Sequence, residues 1–275
     1  MMPYSERCAM ASMIIAKAKE FGADLVGFAD VGSLKDGPSE QLFPKMKDHS
    51  RDHFAERITT GLPHGAVLWE DGAQTAIVYA VAHPEESPEM DWWCGGIDPP
   101  GNKKLAAVGK ALQNWICETW PDVTVWPKPY HVEKGGIYLK EAAYWAGLGC
   151  IGRSNLLITP EFGPKLRLRA MLISEKLPQT GPSGFDPCAG CEEYCPKACP
   201  QGAFGEVAYT REETGLEHLP ARRGDYFRKC CVCEMSKNEA EAQVQVLPAF
   251  SDEPLKVTKY CRNCEFACPV GRQSK

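Results

Sequence analysis

Residues Cys188 to Pro200 read C-A-G-C-E-E-Y-C-P-K-A-C-P, and residues Cys261 to Pro269 read C-R-N-C-E-F-A-C-P. Four thiols fall within twelve residues, and three more follow about sixty residues later. This density restricts the fold more than any hydrophobic pattern does. A short C-x2-C turn aims several thiolates at one iron-sulfur cube, while the Cys of a C-P pair points away and is free to ligate another. The two runs are therefore expected to need each other. Zinc would be satisfied by two C-x2-C pairs, but it leaves the C-x3-C-P endings unexplained. Disulfides belong to oxidising compartments, for which no export signal is seen.

The spacing resembles that of bacterial ferredoxins with two 4Fe-4S clusters. The resemblance implies a crossed arrangement, with Cys188, Cys191 and Cys195 around one cube and Cys268 as its distant fourth ligand. Cys199, Cys261 and Cys264 surround the second cube, which is one ligand short. The run Lys229-Cys230-Cys231-Val232-Cys233 offers three thiols for the vacancy, with Cys230 favoured and Cys233 next. One departure stands out: Glu192, Glu193 and Tyr194 separate the second and third thiols, where the bacterial run has two residues.

At 275 residues the chain is long enough for one large or two modest cores. The cysteine-rich part begins near Gly181, so the expected division is a first domain over 1–180 and a second over 181–275. With 31 basic against 36 acidic residues and a net charge of -5, a nucleic acid is not the expected main partner. Fourteen cysteines without an export signal point to metal and to a reducing, cytoplasmic setting. No apolar run approaches the length of a membrane span.

Along the first part, apolar residues at helical spacing predict a helix from Ser5 to Phe21, with Gly22 as its stop. A short strand is expected over Ala23–Val31. The polar stretch from Leu34 to His64 contains a possible helix over Lys45–Ile58. His49 and His53 are spaced i, i+4 there, but a solvated face is the preferred reading. Thr75–Ala82 is almost continuously apolar, as expected of a strand covered on both faces. Glu85–Asn102, rich in Pro and Gly, is read as a loop in which Trp92 and Trp93 cover either a pocket or a core edge. A helix over Lys103–Trp120, a strand over Val123–Trp126, a helix over Ile137–Ala146 and a strand ending at Ser174 complete a mixed α/β pattern.

Between the last two elements lies A-G-L-G-C-I-G-R-S-N-L-L-I-T-P-E-F-G-P, from Ala146 to Pro164. Its glycines let a backbone approach something flat or anionic, although the run lacks a full dinucleotide fingerprint. Followed by the cysteine motifs, this string resembles the cobalamin-dependent iron-sulfur reductases, namely the epoxyqueuosine reductases and the reductive dehalogenases. The similarity is specific from about Glu141 to Pro164 and over the cysteines, and loose before residue 130.

The resemblance implies a nitroreductase-like α/β domain that holds a base-off cobalamin, followed by a two-cluster ferredoxin module. Electrons would pass from a low-potential donor, a ferredoxin or flavodoxin, through the two clusters to cobalt. Ala146, Gly147, Leu148, Gly149, Cys150, Gly152 and Arg153 would line the corrinoid, and Lys229-Cys230 matches the family feature that completes the second cube. Glu133 lies at about the separation from the glycine run where the epoxyqueuosine enzymes place an acid, and is the first candidate proton donor. Tyr130 is the second. The family's T-D-x-P-L-like segment appears here as S-E-K-L-P, and Cys150 stands where an aromatic residue is common. Because the sequence stops at Lys275, a short form without the C-terminal helical-repeat extension is expected. Three roles follow: a cobalamin-binding reductase of a small molecule, an activator that reduces the corrinoid of a partner protein, and a plain iron-sulfur electron carrier.

Overall fold

The computed structural model describes residues 3–46, 59–220, 222–247 and 251–271. The possible helix around His49 and His53 lies outside the described residues from position 47 to 58. The first part opens with α1 (Tyr4–Glu20), β1 (Leu25–Asp30), α2 (Val31–Lys35), α3 (Pro38–Leu42) and β2 (Thr75–Ala82). It continues with β3 (Trp93–Cys94), α4 (Pro100–Thr119), β4 (Val125–Lys128), α5 (Leu139–Trp145), β5 (Cys150–Ile151), β6 (Leu157–Ile158) and β7 (Leu166–Ile173). The cysteine-rich part contains α6 (Tyr194–Lys197), α7 (Arg211–Thr214), α8 (Arg228–Ala240), β8 (Gln243–Leu247), β9 (Ser251–Thr258) and α9 (Asn263–Phe266).

Four strands form the main sheet in the order β1-β2-β7-β4, every neighbouring pair antiparallel. Side chains alternate across β2. Ile77, Tyr79 and Val81 join the layer of α1 and α4, while Ala76, Val78 and Ala80 join that of α5 and α2. The unbroken apolar run of β2 is thus the consequence of a central strand with helices on both faces. The α5 side is built from small residues, with Ala142, Ala143 and Ala146 opposite Ala76 and Ala80, which lets the helix sit close to the sheet. On the other side, Leu105, Val108, Leu112 and Ile116 repeat at helical spacing and are buried. Burial of each such side chain contributes roughly 1.5–3 kcal/mol.

A second sheet, β3-β9-β8, joins residues on the two sides of the expected division at 180 and 181. Trp93 pairs with Thr258 and Cys94 with Val257. Trp93 therefore belongs to a strand rather than a free loop, and Trp92 directly precedes it. Lys259 Nζ stands 4.0 Å over the Trp92 ring, and Trp93 meets Tyr260 edge-on at 6.3 Å. Among the described residues no helix is long and apolar enough to cross a membrane.

Candidate functional site

Two segments far apart in sequence meet through the short helices α6 and α9, which pack on each other. Cys188, Cys191, Cys195 and Cys268 line one cavity of about 340 Å³, counted with its solvent-open part, and Arg153 and Ile158 line it with them. Burial, together with the neighbouring Cys188 and Cys268, pushes the Cys195 thiol up to about 12. Burial and the Cys188 and Cys191 charges push Cys268 the same way. Thiols so placed resist ionisation unless a cation compensates, and a bound metal does this by displacing their protons. Among the described residues no three His, Cys, Asp or Glu side chains converge on one point that would hold a single ion. The four thiols instead stand around a space, and a cube asks for this because each thiolate binds a different corner.

The wider spacing between Cys191 and Cys195 is absorbed by one residue. Glu193 adopts a left-handed conformation (φ 55°) immediately before α6. Its carboxylate lies 2.5 Å from Arg223 and 3.5 Å from Arg153 Nε. The thiols also receive backbone donors. Arg153 N–H donates to Cys188 Sγ at 3.4 Å, and Ala203 N–H donates to Cys199 Sγ at 3.3 Å. Such bonds tune the potential of an iron-sulfur centre. Lys140 Nζ donates to the Asn155 carbonyl at 2.7 Å and so holds the turn that carries the Arg153 amide.

A second set lies beside the first. The Cys261 thiol is pushed up by burial and by the charges of Glu234, Cys231 and Cys199. Cys264 is pushed up to about 12 by burial, then by Cys231, Glu265, Cys261 and Cys195. Cys195 and Cys264 thus bring the two sets within electrostatic reach of each other. Of the three thiols on α8, Cys231 is the one whose charge pushes up both Cys261 and Cys264, whereas the resemblance favours Cys230 and then Cys233. The reason lies in the helix. Consecutive residues diverge by about 100°, so adjacent thiols face different ways. Asn238, seven residues after Cys231 and therefore on its face, accepts the Cys261 N–H at 2.8 Å. Glu239 accepts from Tyr260 Oη at 2.7 Å. Cys231→Ser is accordingly expected to remove the iron of this set, while Cys230→Ser and Cys233→Ser retain it; iron and acid-labile sulfide per chain decide the matter.

The glycine run is turned into the protein. Ala146, Leu148 and Cys150 are buried. A Cβ on Gly149 would stand 2.0 Å from the Ile158 carbonyl oxygen, and one on Gly147 (φ 71°) 2.7 Å from the Thr180 oxygen. A Cβ on Gly152 would meet the Ile158 side chain at 2.4 Å and Cys188 Sγ at 3.4 Å. Arg153 Nη1 is engaged by Asp225 at 2.8 Å. The close approach that these glycines permit is therefore made by β6, by the 180–181 segment and by the cysteine-bearing loop. They do not offer an open edge to a macrocycle. Cys150, pushed up to about 12 by burial and the nearby Cys188, is a neutral neighbour of the first set.

The two proton-donor candidates face different neighbours. Glu133, in a short 3-10 turn over Val132–Lys134, is buried and lies 3.3 Å from His64 Nε2. Thr59 N–H donates to the Glu133 carbonyl at 2.9 Å. Tyr130 is half exposed, with the Arg169 guanidinium 5.0 Å over its ring. Neither lines the cysteine cavity. His64, Asp225 and Asn238 carry no motif that would single them out in the sequence; they enter through tertiary contacts alone.

Comparison with known proteins finds no matching family model. The chain is 26% identical over 206 residues to the epoxyqueuosine reductase of Bacillus cereus, covering 70% of this chain and 51% of that protein. It is 26% identical over 298 residues to the epoxyqueuosine reductase of Listeria monocytogenes, covering 98% and 66%. The chain thus spans about half to two thirds of the length of these relatives. Among solved structures, an epoxyqueuosine reductase superposes with a TM-score of 0.60 at 18% identity, covering 96% of this chain and 66% of that one. A reductive dehalogenase described as acting by B12-dependent dehalogenation superposes with a TM-score of 0.63 at 16% identity, covering 99% and 33%. The sequence relatives are enzymes, and the fold is shared with both groups named by the resemblance.

Proposed function

We propose that this chain is an iron-sulfur reductase with two 4Fe-4S centres and a corrinoid as electron acceptor. Cys188, Cys191, Cys195 and Cys268 hold one centre, and Cys199, Cys231, Cys261 and Cys264 hold the other. The observation that carries the reading is the single cavity lined by four thiols from segments about seventy residues apart. The sequence relatives support the reductase class. When bound, the centres supply single electrons at low potential. The protein's own contribution is to bury Cys195 and half-bury the other thiols, to give Cys188 and Cys199 backbone donors, and to set the two groups side by side at Cys195 and Cys264.

A low-potential ferredoxin or flavodoxin is the electron source in this reading, and Glu133 and Tyr130 are its proton donors to a small molecule. The inward packing of Ala146–Arg153 favours a second reading, in which the chain passes electrons to the corrinoid of a partner protein. The test is anaerobic reconstitution with iron and sulfide, followed by titration with hydroxocobalamin. Absence of iron uptake overturns the centres. Iron uptake without stoichiometric corrinoid binding removes the resident cofactor and leaves the partner reading. If Glu133 delivers the proton, Glu133→Gln is expected to lower turnover roughly 100-fold or more while iron content is unchanged. Turnover equal to the wild type's removes it from that role.

A further inference from the structure

Arg262 stands between two thiols of the second set, Cys261 and Cys264, yet its guanidinium turns into the end of the main sheet and is only 11% exposed. Nη1 lies 2.7 Å from Asp91 Oδ2. Nη2 donates to the His83 carbonyl at 3.0 Å and to Glu265 Oε1, and Nε donates to Glu265 Oε2 at 3.0 Å. The Phe266 ring lies 4.6 Å beneath. Asp91 is gripped from its other side by His83 Nδ1 at 2.7 Å and by Arg167 Nε at 2.5 Å. His83 and Asp91 are both buried.

These partners come from three places in the chain: the 83–91 segment after β2, the start of β7, and the C-R-N-C turn. Burial works against the charge on Asp91, but the His83 hydrogen bond and the two arginines outweigh it and hold the carboxyl down to about 2. Burial pushes His83 the opposite way from a cation. The array is then two guanidinium cations against two carboxylates, with Glu265 itself pushed up by burial. An exposed pair of this kind contributes little. A buried one is costly unless its geometry is satisfied, and what it secures is register.

Resting on the iron-sulfur reading above, we propose that Arg262 is the positioning residue of the second centre: it fixes the Cys261–Cys264 turn to the sheet end and sets how readily that centre accepts an electron. Each electron added to a cube adds one negative charge. A guanidinium borne on the ligand turn lowers the cost of that charge, and the carboxylate opposite it raises the cost.

The test uses the full chain, reconstituted anaerobically, as wild type, Arg262→Lys, Arg262→Met and Asp91→Asn. Iron per chain is measured first. Each centre is then titrated with titanium(III) citrate, which is oxidised to titanium(IV) as it gives up one electron, and followed by electron paramagnetic resonance. Asp91→Asn is expected to keep both centres and to raise the midpoint of the second alone. In Arg262→Met the second centre is expected to have a lower midpoint and to yield iron to a chelator about tenfold faster, with Arg262→Lys in between. Variants whose second midpoint and iron release match the wild type's overturn the proposal. If Arg262→Met fails to fold, Asp91→Asn decides alone, since an unchanged second midpoint is then sufficient to reject it. A wild type that takes up no iron instead overturns the iron-sulfur reading itself.

Discussion

A Cys268→Ser chain is expected to lose one whole centre, so that iron and acid-labile sulfide fall to about half of the wild-type content. Cys268 reaches the cavity of Cys188, Cys191 and Cys195 from a turn that begins after α9. The seryl side chain fills nearly the same volume, so packing is preserved and the loss reports on ligation. The hydroxyl is a far weaker acid than the thiol and its oxygen a harder donor, a poor exchange for a soft iron ligand. Cys117, exposed on α4, supplies the control, because Cys117→Ser should leave iron unchanged. A Cys268→Ser chain with full iron content would remove Cys268 from the first set and with it the crossed arrangement.

Gly149→Ala is expected to unfold the region around the cysteine cavity. The added methyl would stand 2.0 Å from the Ile158 carbonyl oxygen, which is backbone held in the β5–β6 pairing of Cys150 with Ile158. Backbone cannot swing aside as a side-chain tip can, so the strain should reach the upper end of overpacking costs, about 3 kcal/mol. For a chain of this size that corresponds to a fall in Tm of roughly 5–10 °C. Gly184→Ala, at a position with nothing within 4 Å, should leave Tm within error. A normal melting curve for Gly149→Ala combined with lost corrinoid binding would reverse the assignment, making this glycine a contact to a cofactor rather than to β6.

The helices and strands of the first part were largely legible in the sequence. The expected strand over Thr75–Ala82 coincides with β2, and the helix expected from Ser5 to Phe21 is found over Tyr4–Glu20. In β2 the apolar run reports burial directly, whereas in α1 Met13 is exposed and the buried side is formed by Met10, Ala11, Ile14 and Ala18. The Trp93–Cys94 strand did not read as one, because its pairing partner lies at Val257 and Thr258, more than 160 residues away. The glycines at 147 and 149 were legible as places of close approach, but what approaches them was not. A missing side chain records that space is short and says nothing about which surface takes it.

The cysteine sets show the same limit from the other direction. Short spacing determined that thiols of one run must converge, since a C-x2-C turn leaves its side chains few directions to point, and the two runs were thereby marked as a pair by the order of residues alone. Which thiol of the Cys230-Cys231-Val232-Cys233 stretch turns toward Cys261 was decided by the rotation of α8, anchored through Asn238. Likewise, Arg153 meeting Asp225 and Arg262 meeting Asp91 and His83 were decided only when the chain closed on itself. The physical reason is range: local spacing constrains directions over a few bonds, whereas the partner of a charged or small residue is set by distant chain that packing brings against it.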